Sequence, residues 1–152
     1  MIKINGREIE FKSFPNGETK LIENDLDFAI SQSVMQEISF KYQDDSDLIK
    51  LMMVKRYVDE NTSKLISGEA NLTIYYMPYS RMDRSESGSA FTLKYIADFI
   101  NNLNFGKVTV IEPHSDVTPA LLDNVEARYI NFDLLPKVME EVEFDKEEDF
   151  IV

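Results

Sequence analysis

The stretch that decides the fold is "NLTIYYMPYSRMDRSESGSAFTLKYIADFINNLNFGKVTVIEP", residues 71–113. Its first seven residues are mostly apolar and do not alternate cleanly, which predicts a strand in a sheet covered on both faces, ended by Pro78. From Ala90 the apolar residues recur at helical spacing as far as Leu103, and Gly106 is placed to stop that helix. "KVTVIEP", 107–113, predicts a second strand of the buried kind. Alternation of strands and helices of this kind predicts an α/β domain with a largely parallel sheet.

The same grammar extends in both directions. Upstream, residues 44–46 ("DDS") offer caps to a helix from about Asp47 to Leu65, with Leu48, Leu51, Met52, Val54, Val58 and Leu65 as its apolar face. Before it, "VMQEISFKY" and "TKLI" predict strands. "IKI" and "EIEFKSF" flank Asn5-Gly6, a tight-hairpin dipeptide, so a hairpin is expected over 2–14. "FPNGE", 14–18, is a second turn. Downstream, "TPALLDN" predicts a short helix, "ARYINF" a strand and "LLPKVMEEV" a last helical piece. The tail holds seven acids between Glu140 and Asp149, a solvated charge run, and "DFIV" resembles the opening of a buried strand. The expectation is one α/β domain over 1–152 with a mostly parallel sheet flanked by helices.

Composition limits what such a domain does. A formal charge of −12 argues against a nucleic-acid or membrane surface while permitting a local basic site. The chain has no cysteine, and with it no disulfide framework or thiolate metal site. The N-terminus lacks the apolar core of a signal peptide and no apolar run approaches 18 residues, so a soluble, cytoplasmic protein is expected.

In an open parallel sheet, ligands bind beyond the carboxyl ends of the strands. "PYSRMDR" follows the first predicted strand and "PHSD" the second. Arg81 and Arg84 can each donate a fork of hydrogen bonds to phosphate oxygens, Asp83 can fix an arginine or accept from an amino group, and His114 is the only histidine. Taken singly, each has a plainer reading: an exposed ion-pair cluster, a strand-end histidine, a turn.

In this order and at these spacings, "FPNGE", "PYSRMDR", "FTLKYIADFINNL" and "VIEPHSDVTPALLD" resemble the N-terminal half of the ribose-phosphate pyrophosphokinases (phosphoribosyl pyrophosphate synthetases). The resemblance spans most of residues 10–123 and implies a phosphoribosyltransferase-type fold. It implies that ATP and magnesium are bound, that ribose 5-phosphate is the acceptor, and that the protein is a homo-oligomer. It implies that Phe14 stacks on adenine and that Asn16 and Glu18 meet the adenine amino group, from a neighbouring subunit. Arg81, Asp83 and Arg84 fall at the nucleotide, and His114 at the metal-bound triphosphate near the reaction centre.

Several positions depart from the family pattern. Asn16 replaces an aspartate, Met82 a glutamine, and Glu112 stands where the family has aspartate. "SESGSA", 85–90, replaces a basic loop that closes over ATP; with no Lys or Arg it is expected to be mobile without ligand, Ser87 or Ser89 capping the next helix. A short hairpin stands in place of the family's opening strand and helix. The family's second domain, which carries the acceptor site, would begin near "DFIV" and is absent from this chain. Two alternatives follow: the ATP-binding half of a pyrophosphokinase, inactive alone, or a non-catalytic regulatory or interaction domain of the same fold.

Overall fold

The computed structural model describes residues 1–63, 68–86 and 88–142. Leu65, Ser87 and the expected strand at "DFIV" lie outside the described residues, as does the acidic run beyond residue 142.

The chain opens with β1 (Ile2–Ile4) and β2 (Arg7–Glu8), an antiparallel pair closed by Asn5 and Gly6 at φ 50° and 83°. Two successive left-handed residues define the turn that Asn-Gly favours. The expected long second strand is broken: β3 (Phe11–Ser13) leaves the sheet and pairs only with β4 (Thr19–Leu21) across the "FPNGE" turn, where Gly17 has φ 89°. Helix α1 (Glu23–Ser31), not anticipated from the sequence, buries Leu26 and Ala29. Then come β5 (Glu37–Lys41), α2 (Ser46–Asn61), β6 (Asn71–Tyr76), α3 (Thr92–Asn101), β7 (Val108–Ile111), α4 (Val117–Leu121), β8 (Val125–Arg128) and α5 (Ile130–Glu141).

Among the described residues a six-stranded sheet runs β2-β1-β5-β6-β7-β8, with β5 to β8 mutually parallel. Each crossover steps one strand in the same direction, and right-handed crossovers of that kind put α2, α3 and α4 on one side. The core lies there. Ile2, Ile4, Ile38, Phe40, Leu72, Ile74, Val108 and Val110 share one sheet face and pack with Leu26, Leu51, Val54, Leu93, Ala97 and Ile100 of the helices. The opposite face is half-buried to exposed at Lys3, Ser39, Thr73 and Tyr75. The expectation that residues 71–77 are covered on both faces therefore fails. The strand does alternate, with Thr73 and Tyr75 facing away from the core, and β-branched Thr and aromatic Tyr masked the polarity change.

Two boundaries also differ from the sequence reading. Helix α3 ends at Asn101, and Asn104, not Gly106, takes the left-handed conformation after it (φ 54°). Gly106 is needed for close approach instead: a Cβ there would lie 3.0 Å from the Glu69 carbonyl oxygen. The strand expected at "ARYINF" stops at Arg128, and "INF" opens α5.

Candidate functional site

Parallel neighbours end at the same edge of a sheet, so the segments after β6 and β7 meet. After Tyr76 the chain buries Met77, turns at Pro78 and places Tyr79 at φ 59°, a conformation non-glycine residues adopt at a cost. The Met82 N–H then donates to the Tyr79 carbonyl at 2.9 Å, closing a turn that aims Arg81 outward and Asp83 inward. The Leu93 N–H donates to the Met82 carbonyl at 3.2 Å, tying this loop to the start of α3.

Asp83 is the fixed point. It is only 6% exposed, and both carboxylate oxygens are engaged: Arg84 Nε donates to Oδ1 at 2.9 Å and Ser115 Oγ to Oδ2 at 2.7 Å. The Arg84 hydrogen bond, then the Ser115 hydroxyl, hold the carboxyl down to about 2, and the charge of nearby His114 acts in the same direction. Asp83 is ionised at neutral pH. Ser115 thus staples the post-β7 loop to the post-β6 loop, and it does so although the sequence marked it only as a flank of His114.

Arg81, Met82, Asp83, Arg84, Glu86, Ser89, Ala90, Thr92 and His114 line one cleft of about 510 Å³. Of the residues expected to bind a nucleotide, four (Arg81, Asp83, Arg84 and His114) are brought together. Arg81 and His114 are exposed, and neither makes an ion pair among the described residues. Arg84 is already paired with Asp83, and Glu86 lies 3.7 Å from its Nε. The cleft therefore offers two uncommitted polar heads, Arg81 and His114, and one arginine held in place by carboxylates.

Phe14, Asn16 and Glu18 do not line this cleft. They sit on the β3–β4 hairpin, where the Phe14 N–H donates to the Glu18 carbonyl at 2.8 Å and Asn16 Oδ1 accepts from the Glu18 N–H at 3.2 Å. Phe14 is half exposed. Glu112 (φ 48°) also turns away, accepting from the Asn131 N–H at the start of α5. Ser89 bonds within its own segment rather than capping α3: Ser85 Oγ donates to the Ser89 carbonyl at 2.9 Å, and Ser89 Oγ to the Glu86 carbonyl at 2.8 Å. Among the described residues no side chain caps α3, whose cap position is Phe91.

A tyrosine cluster behind the loop escaped the sequence reading. Tyr79 and Tyr42 both donate to Asp45 Oδ1, at 2.8 and 2.6 Å, and Tyr42 stacks on Tyr76. The shared carboxylate pushes both phenols up and is itself held low by them. This clamp binds the loop carrying Arg81 to the β5–α2 connection and holds Tyr79 in its left-handed conformation. Three tyrosines in residues 75–79 were the available signal.

Magnesium was expected with His114 at its site. Among the described residues no group of three or more His, Asp or Glu side chains is arranged to hold a metal ion, and both oxygens of Asp83 are occupied. The described residues of the cleft form no all-protein metal cage.

No protein-family model matches the sequence, and no curated protein matches it. Among solved structures, phosphoribosylpyrophosphate synthetase from Mycobacterium smegmatis superposes with a TM-score of 0.67 at 15% identity, over 88% of this chain and 43% of that one. At this identity the likeness establishes the fold: a mixed α/β domain of phosphoribosyltransferase type, distantly related in structure to that enzyme. The chain spans less than half the length of that protein.

Proposed function

We propose that this chain is the ATP-binding half of a ribose-phosphate pyrophosphokinase. The carrying observation is the convergence of Arg81, Arg84 and His114 on one cleft at the carboxyl edge of β6 and β7, around a buried, ionised Asp83. Two arginines and an imidazole suit a polyphosphate, and the edge suits a nucleotide. In this reading Arg81 and Arg84 grip phosphate oxygens and Asp83 keeps the Arg84 fork in one orientation. His114 donates to the triphosphate near the phosphorus that reacts. Magnesium arrives on the substrate, as MgATP.

The reaction proposed for the whole enzyme is attack by the 1-hydroxyl oxygen of ribose 5-phosphate on the β-phosphorus. A new C1–O–P link forms, the bond to the α-phosphate oxygen breaks, AMP departs and the hydroxyl proton is released. Such transfers depend on positioning and on neutralising charge. Phe14, Asn16 and Glu18 would reach the adenine of a neighbouring copy in a homo-oligomer. No helix among the described residues is long and apolar enough to cross a membrane.

A second reading, a regulatory or interaction domain without catalysis, is favoured by Glu86. A carboxylate lines the cleft where a polyphosphate calls for cations, and Met82 cannot hydrogen-bond a nucleotide through nitrogen or oxygen donors. Calorimetric titration with MgATP, MgADP and AMP separates the two. The ATP reading expects saturable MgATP binding that exceeds AMP binding and falls at least about tenfold in Arg81→Ala, the loss of one charge-assisted contact. Equal and weak binding of all three nucleotides supports the interaction domain.

A further inference from the structure

The sequence holds two Asn-Gly dipeptides, Asn5-Gly6 and Asn16-Gly17. Such a pair is chemically labile as well as turn-forming. Glycine has no Cβ to keep its backbone nitrogen away from the preceding side chain, so that nitrogen can reach the asparagine Cγ. The fold puts the two dipeptides in opposite circumstances.

Asn5 is held at every polar atom of its side chain. Its Nδ2 donates to the Ala29 carbonyl at 3.0 Å and to Gln36 Oε1 at 2.8 Å, and its Oδ1 accepts from the Glu37 N–H at 2.9 Å. Gln36 is itself buried and donates to the Ser33 carbonyl. Releasing Asn5 therefore means parting the β1–β2 turn from α1 and from β5 within the six-stranded sheet, an opening close to global unfolding.

Asn16 has far less to hold it. It and Gly17 are exposed at the tip of the β3–β4 hairpin, which is separate from the main sheet. Its Oδ1 accepts from the Glu18 N–H at 3.2 Å, and among the described residues its Nδ2 has no acceptor. Two backbone bonds close the tip: the Gly17 N–H donates to the Phe14 carbonyl at 2.9 Å and the Phe14 N–H to the Glu18 carbonyl at 2.8 Å. The first occupies the nitrogen that would react, so reaction waits for the tip to open. A lone two-stranded hairpin is marginally stable. Phe11 and Leu21 anchor its base against the core, so the tip can open while the rest of the fold stays intact.

We propose that Asn16 is a modification site, converted in the folded protein to aspartate and isoaspartate by its own backbone, and that the identical dipeptide at Asn5 is protected. The Gly17 nitrogen gives its proton to a solvent base and attacks Asn16 Cγ. A C–N bond forms, the Cγ–Nδ2 bond breaks, and Nδ2 leaves as ammonia with a proton from water. One water then opens the succinimide ring. Cleavage of the new Cγ–N bond gives aspartate on a normal backbone. Cleavage of the original peptide bond gives isoaspartate, whose main chain runs through Cβ and Cγ. An amide that donates and accepts becomes a carboxylate that only accepts, two residues from Glu18, and the isoaspartyl form lengthens the turn by a main-chain carbon. The reaction needs no ligand, so it stands or falls separately from the nucleotide reading.

Peptide mass mapping of the 152-residue chain, aged at mildly alkaline pH in heavy-oxygen water, tests this, with circular dichroism reporting the fold. Cleavage after Lys and Arg puts Asn5 in residues 4–7 and Asn16 in residues 13–20, and the heavy label marks conversion that preceded digestion. In the folded chain Asn16 is expected to convert at least about tenfold faster than Asn5, because only its site opens locally. Both aspartyl and isoaspartyl products are expected, at a rate that rises with pH. In urea, where neither dipeptide is held, the two rates are expected to become comparable. There Gly17→Ala is expected to slow Asn16 about tenfold, free of the strain that an alanine meets at φ 89° in the fold. Asn16 intact in the folded chain after the urea sample has converted would overturn the proposal. So would equal rates at Asn5 and Asn16 in the folded chain, or aspartate without isoaspartate, which marks direct hydrolysis instead of the ring.

Discussion

At the scale of single residues, the site is organised by Asp83 rather than by its more conspicuous arginine neighbours. Arg84 and Ser115 satisfy both of its oxygens, which makes it a positioning group that joins the two loops. Its carboxyl titrates at about 2 in the fold against an ordinary value of about 3.9. A depressed carboxyl contributes stability that is fully present above its unfolded pKa and is lost as pH falls through the folded one. The contribution should therefore disappear between about pH 4 and pH 2. Thermal melts over that range are expected to fall less steeply for Asp83→Asn than for the wild type, although Asp25, Asp45 and Asp47, also held low, keep some slope in both. Identical slopes would mean that the Arg84 and Ser115 contacts do not form in solution. Ser115 itself was not legible as a functional residue: a serine after a histidine carries no spacing signal, and only the fold brings it to Asp83.

At the scale of elements, helix α2 holds the riskiest group in the core. Lys55 is fully buried, donates to both oxygens of Asp59 and lies 5.2 Å from the centre of the Phe105 ring. Breaking such a pair leaves a cation without its counter-charge, so Asp59→Ala is expected to cost about 3 kcal/mol in chemical denaturation. Lys55→Met, which removes the charge and keeps the volume, should cost clearly less. If the two substitutions cost the same, the ion pair is not what stabilises this position. Elements differed in how far the sequence disclosed them. The strands at 71–76 and 108–111 and helices α2 and α3 were legible because long apolar faces impose a period. Helix α1 was not, since it buries only Leu26 and Ala29, leaves Phe28 exposed and has no side-chain cap. The start of α5 was misread because "ARYINF" is rich in strand-favouring residues and no buried face marks the helix.

At the scale of the whole molecule, the chain is one core with Arg81, Asp83, Arg84 and His114 gathered at one sheet edge, and it spans 43% of the synthetase it resembles in structure. On the proposed function, the acceptor site belongs to the remainder of such an enzyme. The 152-residue chain alone is then expected to bind MgATP without converting ribose 5-phosphate to phosphoribosyl pyrophosphate. Formation of AMP and that product by the purified chain, at a rate typical of the complete enzymes, would show that the catalytic groups have been misplaced. Phe14, Asn16 and Glu18 do not line the cleft of Arg81 and His114, so on the proposed function an adenine contact from Phe14 comes from a second copy. The most direct test of the central claim is amide chemical-shift mapping of the isotopically labelled chain titrated with MgATP. Saturable shifts confined to residues 79–86, 89–92 and 113–117 are expected, lost in the Arg81→Ala/His114→Ala variant. Absence of saturable shifts there, or shifts centred elsewhere and unaffected by those two substitutions, would contradict it.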